Sequence, residues 1–420
     1  MLSPLFVPFN PRVGDLKGNR QRLQQLLLSA DDFPLALLPE LALTGYPPRD
    51  LLEHEGLAEA LDQELQGLAQ ALKGKGPVLL GELARCASAP GWFNAAWLLH
   101  QGRAEVVAQK QLLPDYDVFD EPRYFAPGIP MPVIDVAGLR LGVTICEDLW
   151  GGEEAGEGAR YSHLPAARLA SDCDLLVNLS ASPYQRDKPG QRLSQAQAFA
   201  RRHDCHVAVV NAVGGNDELI FDGQCFLTDG TTALGLPLFS QHFSYATEAV
   251  QRQEGLSLDR QALVLGLRDY LQKSGCSKVV LGISGGIDSA LVAAIAVDAL
   301  GAENVLGLAL PSVYSSDRSF ADARALCSNL GMELRELSIK TPHAVLRDSL
   351  LQITTVEGLT DENLQARLRG LMVMATANAE GRFALATGNK SELAVGYCTL
   401  YGDMCGALAP IGDLFKSDVF

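Results

Sequence analysis

Three residues whose types together can cut an amide lie at the ends of three apolar runs. Glu40 closes LALLPE, Lys110 closes EVVAQK, and Cys146 closes LRLGVTIC and opens CEDLW. Amide hydrolysis through a thioester needs a thiol nucleophile, a base to take its proton, and a positive group facing the oxyanion. Glu40 can take the thiol proton and pass it to leaving ammonia. Lys110 can favour the thiolate and stabilise the tetrahedral intermediate. No histidine is required, and none of the seven falls beside Cys146 in the chain. Singly, each residue also fits a plainer role. A cysteine ending an apolar strand is commonly a small core residue, and Glu40 and Lys110 could be solvated surface charges.

A second constellation lies in VVLGISGGIDSALVAA, residues 279–294, where SGGIDS separates an apolar strand from an apolar helix. Gly285 and Gly286 permit a tight turn and close backbone approach to phosphate. Ser284 and Ser289 can offer hydroxyls, and the helix start adds a positive dipole end. Asp288 is uncomfortable beside phosphate unless a cation joins them, which points to Mg2+. The loop is neither a Walker A sequence, since no GK[ST] follows the glycines, nor GxGxxG.

Elements at regular spacing must carry these residues. Candidate strands are 35–38, 77–83, 95–100, 105–110, 139–146, 174–180 and 206–213. Candidate helices are 19–29, 57–72, 162–170 and 192–203, and DGQCFLTDGTTALG reads as a hairpin. Around 240–256 the chain turns polar and loses its period, so domains are expected at 1–245 and 246–420. The second half continues with a helix at 260–273, a strand at 277–283, a helix at 289–300 and a strand at 305–311. That is a βαβ unit of a parallel, doubly wound sheet. A helix at 316–330, a strand at 333–339, a helix from 361 and a strand at 382–387 extend it. In the helix from 361, Thr360 is expected as the cap. Leu364, Leu368, Leu371, Met372 and Ala375 should share its apolar face.

The bulk properties exclude several classes. A net charge of −16 leaves no basic surface for a nucleic acid or a membrane. Nine cysteines without a CxxC pair indicate neither zinc nor a disulfide framework. The N-terminus MLSPLFVPFNPRVGD lacks the layout of a signal peptide, and no apolar run spans a bilayer, so a cytoplasmic protein is expected.

The words around the first constellation are PELALTGYPPRDLL, QKQLLPDYDVFDEPRYFAPG and GVTICEDLW, after an opening NPRVGDLKGN. They resemble the nitrilase superfamily, most closely the glutaminase domain of glutamine-dependent NAD synthetases. The resemblance implies a four-layer αββα sandwich and a catalytic triad of Glu40, Lys110 and Cys146. It further implies a supporting carboxylate at Glu121, with Tyr46 and Tyr116 near the pocket. NLSASPY resembles the family's glutamine-binding segment, within which Ser180 and Ser182 are the choices, a plain strand end being equally open.

SGGxDS after a strand resembles the PP-loop of ATP pyrophosphatases, and later words narrow this to the NAD synthetase domain. They are ENLQARLRGLMVMATAN and ALATGNKSELAVGYCTLYGDMCGALAPIGDLFKSDV. The implied ATP-binding set is Gly282, Ser284, Gly285, Gly286, Asp288, Ser289, Thr387 and Lys416. Asp288 and Glu392 would hold Mg2+. Asn363, Arg367 and Asp403 would meet deamido-NAD, with Asn378 a further polar position to watch. Without the resemblance, Glu392 could cap a helix turn and Lys416 could be a surface lysine.

Together the motifs imply ATP-dependent amidation of deamido-NAD to NAD through an acyl-adenylate. AMP and pyrophosphate would be released, and the ammonia would come from glutamine. Small-molecule partners and a homo-oligomer built on synthetase dimers are implied. In the family the synthetase domain continues past DLFKSDVF, so 417–420 reads as the first turn of a longer helix in a C-terminally truncated chain. Competing readings are a stand-alone nitrilase-type glutaminase or amidase with an inactive second domain, a PP-loop ligase with another acceptor, and a non-catalytic nucleotide binder.

Overall fold

Successive residues of a strand face opposite layers, and that alternation builds the N-terminal part of the chain. The computed structural model describes residues 3–150, 161, 163–250 and 255–420. They divide into two units, Met1–Leu258 and Asp259–Phe420. The first contains strands β1 (Leu5–Phe6), β2 (Ala36–Leu37), β3 (Val78–Arg85), β4 (Trp92–His100), β5 (Arg103–Gln109), β6 (Ile134–Val136), β7 (Leu139–Ile145), β8 (Leu175–Ser180) and β9 (His206–Asn211). It continues with β10 (Val213–Asn216), β11 (Leu219–Asp222), β12 (Cys225–Thr228), β13 (Ala233–Gly235), β14 (Ser244–Tyr245) and β15 (Glu248–Ala249). Its helices are α1 (Leu16–Ser29), α2 (Leu57–Ala71), α3 (Glu121–Tyr124), α4 (Pro165–Ala170) and α5 (Lys188–His203).

Two sheets stack, in the orders β14-β1-β2-β3-β4-β5 and β15-β13-β12-β9-β8-β7-β6. In β3, Val78 and Leu80 pack with Leu23 and Leu27 of α1 and Leu61, Leu65 and Leu68 of α2. The intervening Leu79 joins Val143, Ile145, Val177 and Val210 between the sheets. In the second sheet, Leu176, Val207 and Val209 face Leu169 of α4 and Leu193, Ala196 and Phe199 of α5. The result is the expected αββα sandwich, with buried apolar area on both faces of each sheet. Of the expected helix 162–170, Ser162 lies outside the described residues, as do 251–254 within the polar stretch before the second unit.

The second unit is wound about a four-stranded parallel sheet. Its strands are β16 (Val279–Gly282), β17 (Val305–Ala309), β18 (Glu333–Glu336) and β19 (Phe383–Leu385), in the order β18-β17-β16-β19. Its helices are α6 (Leu256–Lys273), α7 (Ile287–Leu300), α8 (Asp317–Leu330), α9 (Lys340–Leu350), α10 (Leu359–Glu380), α11 (Lys390–Val395) and α12 (Lys416–Val419). Val279 and Leu281 pack with α6 and α7 on one face, and Val280 packs with Val373 and Ala377 of α10 on the other. β16 has β17 on one side and β19 on the other, so the loop leaving it opens at the switch point where doubly wound sheets bind ligands.

The long helix differs from expectation at its start and on its face. Its N-cap is Gly358, and Thr360 lies within the first turn. The His343 ring bonds Asp361 at 2.9 Å and draws that turn onto α9, a helix not foreseen. Leu364 and Leu368 are buried as expected, together with Val373 and Ala377, whereas Leu371 and Ala375 are exposed. Among the described residues no helix is long and apolar enough to cross a membrane.

Candidate functional site

The first unit gathers Glu40, Lys110 and Cys146 from the ends of β2, β5 and β7, all nearly sealed from solvent. Gly81 lets the Glu40 backbone come this close, since a Cβ there would stand 2.4 Å from the Glu40 Cα. The turn after Glu40 is strained, with Leu41 at φ +48°. Buried Glu82 holds that turn by accepting from the backbone N–H of Leu43 at 2.7 Å, that of Thr44 at 2.8 Å, and the Thr44 hydroxyl. Cys146 opens a 3-10 turn with φ +42°, an elbow that lifts its side chain off β7. Asp148 ties this elbow to the lysine. Its Oδ1 accepts from Gln111 N at 3.0 Å and Leu112 N at 2.9 Å, and burial pushes its pKa up to about 7.

The ionic heart of the site is Lys110 between two carboxylates. Its Nζ lies 2.8 Å from Glu40 Oε1 and 2.8 Å from Glu121 Oε1. Burial works against the ammonium, but Glu121 and Glu40 outweigh it and hold its pKa well above the usual lysine value. Burial lifts Glu121 to about 7, against the pull of Lys110. Tyr46 also donates to Glu121 Oε1, at 2.9 Å, while Glu121 Oε2 is buried with no partner among the described residues. Burial and then the Glu40 carboxylate raise the Cys146 thiol far above its ordinary value, and Lys110 only partly offsets this. Burial thus favours the thiol form of Cys146 over the thiolate.

Tyr116 donates to Glu147, at 2.9 Å to one carboxylate oxygen and 3.1 Å to the other, beside the nucleophile. Ser180 is fully buried and donates to Asn178 Oδ1 at 2.6 Å, and Asn178 in turn holds the Cys146 carbonyl at 3.1 Å. Ser180 thus supports the elbow. Ser182 is anchored by its N–H to Asn211 Oδ1 at 2.8 Å, and its hydroxyl accepts from Arg192 at 3.3 Å. Sequence reasoning missed Asn94, Glu82, Asp148, Glu147 and Lys188. Lys188 is half-buried at the start of α5. Burial and then neighbouring Arg192 lower its pKa, while Cys146, Asp222 and Glu147 pull it back up.

In the second unit the Gly-rich loop sits between β16 and α7. Gly285 has φ +82°, and a Cβ on it would meet the Ser319 carbonyl oxygen at 2.3 Å. Gly286 N donates to Ser284 Oγ at 3.1 Å, and Ser284 Oγ lies 3.2 Å from Ser289 Oγ. A cavity of about 470 Å³ adjoins the loop, lined by Gly282, Ser284, Phe320, Arg369, Thr387 and Asp403 among others. Arg369 was not foreseen. Burial lowers its pKa, and its Nε donates to Leu310 O at 3.1 Å. Asn363 and Arg367 are not among the lining residues. They pin the loop beside the cavity, Asn363 Oδ1 accepting from Thr399 Oγ1 at 2.7 Å and Arg367 Nε donating to Leu400 O at 3.2 Å. Asp403 steadies the same loop from Thr399 N at 2.6 Å.

Asp288 and Glu392 both bond Asn389. Its Nδ2 donates to Asp288 Oδ1 at 3.0 Å, and its N–H donates to Glu392 Oε2 at 3.1 Å. Glu392 N returns a bond to Asn389 Oδ1 at 3.1 Å, so Glu392 also caps α11. Lys416 forms an ion pair with Asp288. Among the described residues no group of three or more His, Cys, Asp or Glu side chains gathers for a metal.

A family model described as carbon-nitrogen hydrolase matches residues 7–252, and one described as NAD synthase matches residues 260–420. The glutamine-dependent NAD(+) synthetase of Synechocystis sp. is 43% identical over 444 residues, which cover 100% of this chain and 80% of the relative. That of Thermotoga maritima is 37% identical over 467 residues, covering 98% and 78%. The solved structure of glutamine-dependent NAD+ synthetase from Acinetobacter baumannii in complex with ADP has a TM-score of 0.92 at 34% identity, covering 100% of this chain and 80% of that one. With a sandwich that gathers Glu40, Lys110 and Cys146, a PP-loop on a parallel sheet, and relatives matched across both units, this chain belongs to the glutamine-dependent NAD(+) synthetase family.

Proposed function

We propose that the chain amidates deamido-NAD to NAD at the expense of ATP, using ammonia released from glutamine at Cys146. The observation that carries the first half is the buried arrangement of Glu40, Lys110 and Glu121 beside the buried Cys146 thiol. Glu40 takes the thiol proton as sulfur attacks the amide carbon, and the developing oxyanion faces the Lys110 ammonium. Glu121 Oε2, buried and open among the described residues, is the oxygen left to meet the substrate's amide group. Collapse expels ammonia with the proton held by Glu40, and water then cleaves the thioester with Glu40 again as base.

Glutamine rather than a simple amide is favoured by opposite charges near the nucleophile. Lys188 suits an α-carboxylate and Glu147 an α-ammonium, with Tyr116 and Ser182 shaping the pocket. A family match across both units also tells against a stand-alone amidase.

For the second half, the backbone of Ser284–Gly286 and the start of α7 suit the phosphates of ATP, with Thr387 toward the nucleotide and Lys416 supplying charge. We assign deamido-NAD contacts to Asp403, and to Asn363 and Arg367 through the loop they hold. Asp288 and Glu392 offer hard oxygen donors about one shared residue. Two carboxylates suit Mg2+, and Asp288 and Glu392 would hold it. When bound, the ion would neutralise phosphate charge. The substrate carboxylate attacks the α-phosphorus. Pyrophosphate leaves, and ammonia then displaces AMP from the acyl-adenylate. A homo-oligomer is supported by the apolar exposure of Val395, Tyr397 and Tyr401, each about four-fifths open.

The test is NAD and pyrophosphate formation from ATP, Mg2+ and deamido-NAD, with glutamine and then ammonia as nitrogen source. NAD from both supports the whole reading. Glutamate release without NAD from either source would confine the activity to the first unit and overturn the synthetase assignment.

A further inference from the structure

Asn94 stands inside β4, fully enclosed, and touches two members of the glutaminase site. Its Nδ2 donates to Glu40 Oε1 at 2.6 Å, and its main-chain carbonyl accepts from Lys110 N at 2.8 Å. Its own Oδ1 is buried and has no partner among the described residues. A carboxylate only accepts, so the amide nitrogen has to be the atom that faces Glu40. An apolar residue would fill this space without stranding an oxygen. Asn94 therefore owes its place to the donor it offers.

The bonds to Glu40 then distinguish its two oxygens. Oε1 receives Asn94 Nδ2 and Lys110 Nζ at 2.8 Å, which fills both of its acceptor positions. Oε2 receives Ala181 N at 2.7 Å and keeps one position open. We propose that Asn94 is a positioning residue for glutamine hydrolysis, which fills Oε1 of Glu40 so that Oε2 is the oxygen that takes the thiol proton. This rests on Glu40 as the general base of the proposed function. The proton moves from Sγ to Oε2 as the S–C bond forms and the carbonyl pair moves onto oxygen. On collapse the carbonyl re-forms, the C–N bond breaks, and the same proton leaves on ammonia.

The experiment is glutaminase kinetics of the full chain against pH, in wild type, N94A and N94D, with thermal unfolding of each. Removing a donor from the ionised carboxylate makes that form harder to keep. In N94A the acid limb of kcat/KM should move to higher pH, and kcat should fall at least tenfold with KM for glutamine within about threefold. N94D keeps the volume but replaces the donor with an acceptor, so at pH 8 it should lose at least as much as N94A. An N94A variant with an unmoved acid limb, or an N94D variant with wild-type kcat, would reduce Asn94 to packing and overturn the assignment. A wild-type chain that releases no glutamate is a separate result, which would overturn the glutaminase reading itself.

Discussion

The Lys110 ammonium bonds Glu40 Oε1 at 2.8 Å inside a pocket that excludes water from both. A buried ion pair of this kind contributes little net stability, because desolvation offsets most of the attraction. Its value lies in the proposed reaction, where it sets a base and a cation side by side. Glu121, on the same ammonium, adds a second carboxylate and leaves the cluster one proton short of neutral pairing.

Glu121 gives the first prediction. The folded chain holds its proton up to about pH 7, whereas an ordinary glutamate releases it near 4.5. Its contribution to stability is therefore full below about pH 4.5 and is lost as pH rises through about 7. E121Q cannot titrate, so the thermal midpoint of the wild type should fall more steeply than that of E121Q between pH 5 and 8. Parallel midpoints across that range would show that Glu121 is not held protonated by burial. Glutamate release by E121Q should drop at least tenfold.

Removing the nucleophile separates the two chemistries. C146A should hold glutamate release below about a thousandth of wild type, because no other buried thiol stands beside Glu40. Ammonia-dependent NAD formation should persist within about twofold. Assaying both nitrogen sources on one preparation checks this, and equal loss of both would contradict the division of labour.

The residues proposed to react were legible because they stand where patterns end. β5 stops at Gln109 and β7 at Ile145, each one residue short of Lys110 and Cys146. The PP-loop was legible for the same reason, lying between an apolar strand and an apolar helix. The supporting residues were not. Asn94 and Glu82 are polar interruptions in apolar strands, and only the folded chain shows what each of them bonds. Asn363 and Arg367 read as contacts to a dinucleotide, but their partners lie thirty-odd residues on, in a loop that carries no periodic signal. Helix α9 was missed because Pro342 and polar residues occupy its first turn, while its burial rests on His343.

Gly285 is a steric requirement. An alanine there must hold φ near +82° and place its Cβ 2.3 Å from the Ser319 carbonyl oxygen. The left-handed conformation alone costs about 1–2 kcal/mol, and the clash displaces the start of α8 or the loop itself. G285A should release pyrophosphate more than tenfold slower and unfold at lower temperature, with glutamate release nearly unchanged. Normal pyrophosphate release would mean that the phosphates do not lie against this turn.

Metal removal distinguishes the two units. The glutaminase cluster is complete with protein groups, a cation already being present as Lys110. Asp288 and Glu392, by contrast, are two carboxylates that both bond Asn389, and Lys416 pairs with Asp288. With chelator present, pyrophosphate and NAD formation should stop while glutamate release continues. D288N should behave in the same way without chelator, since an amide keeps the bond to Asn389 but loses the charge a divalent ion needs. Isothermal titration of Mg2+ with a non-hydrolysable ATP analogue should show binding to the wild type and at least tenfold weaker binding to D288N. Equal binding would remove Asp288 from the metal site and leave its pairing with Lys416 as a local structural contact.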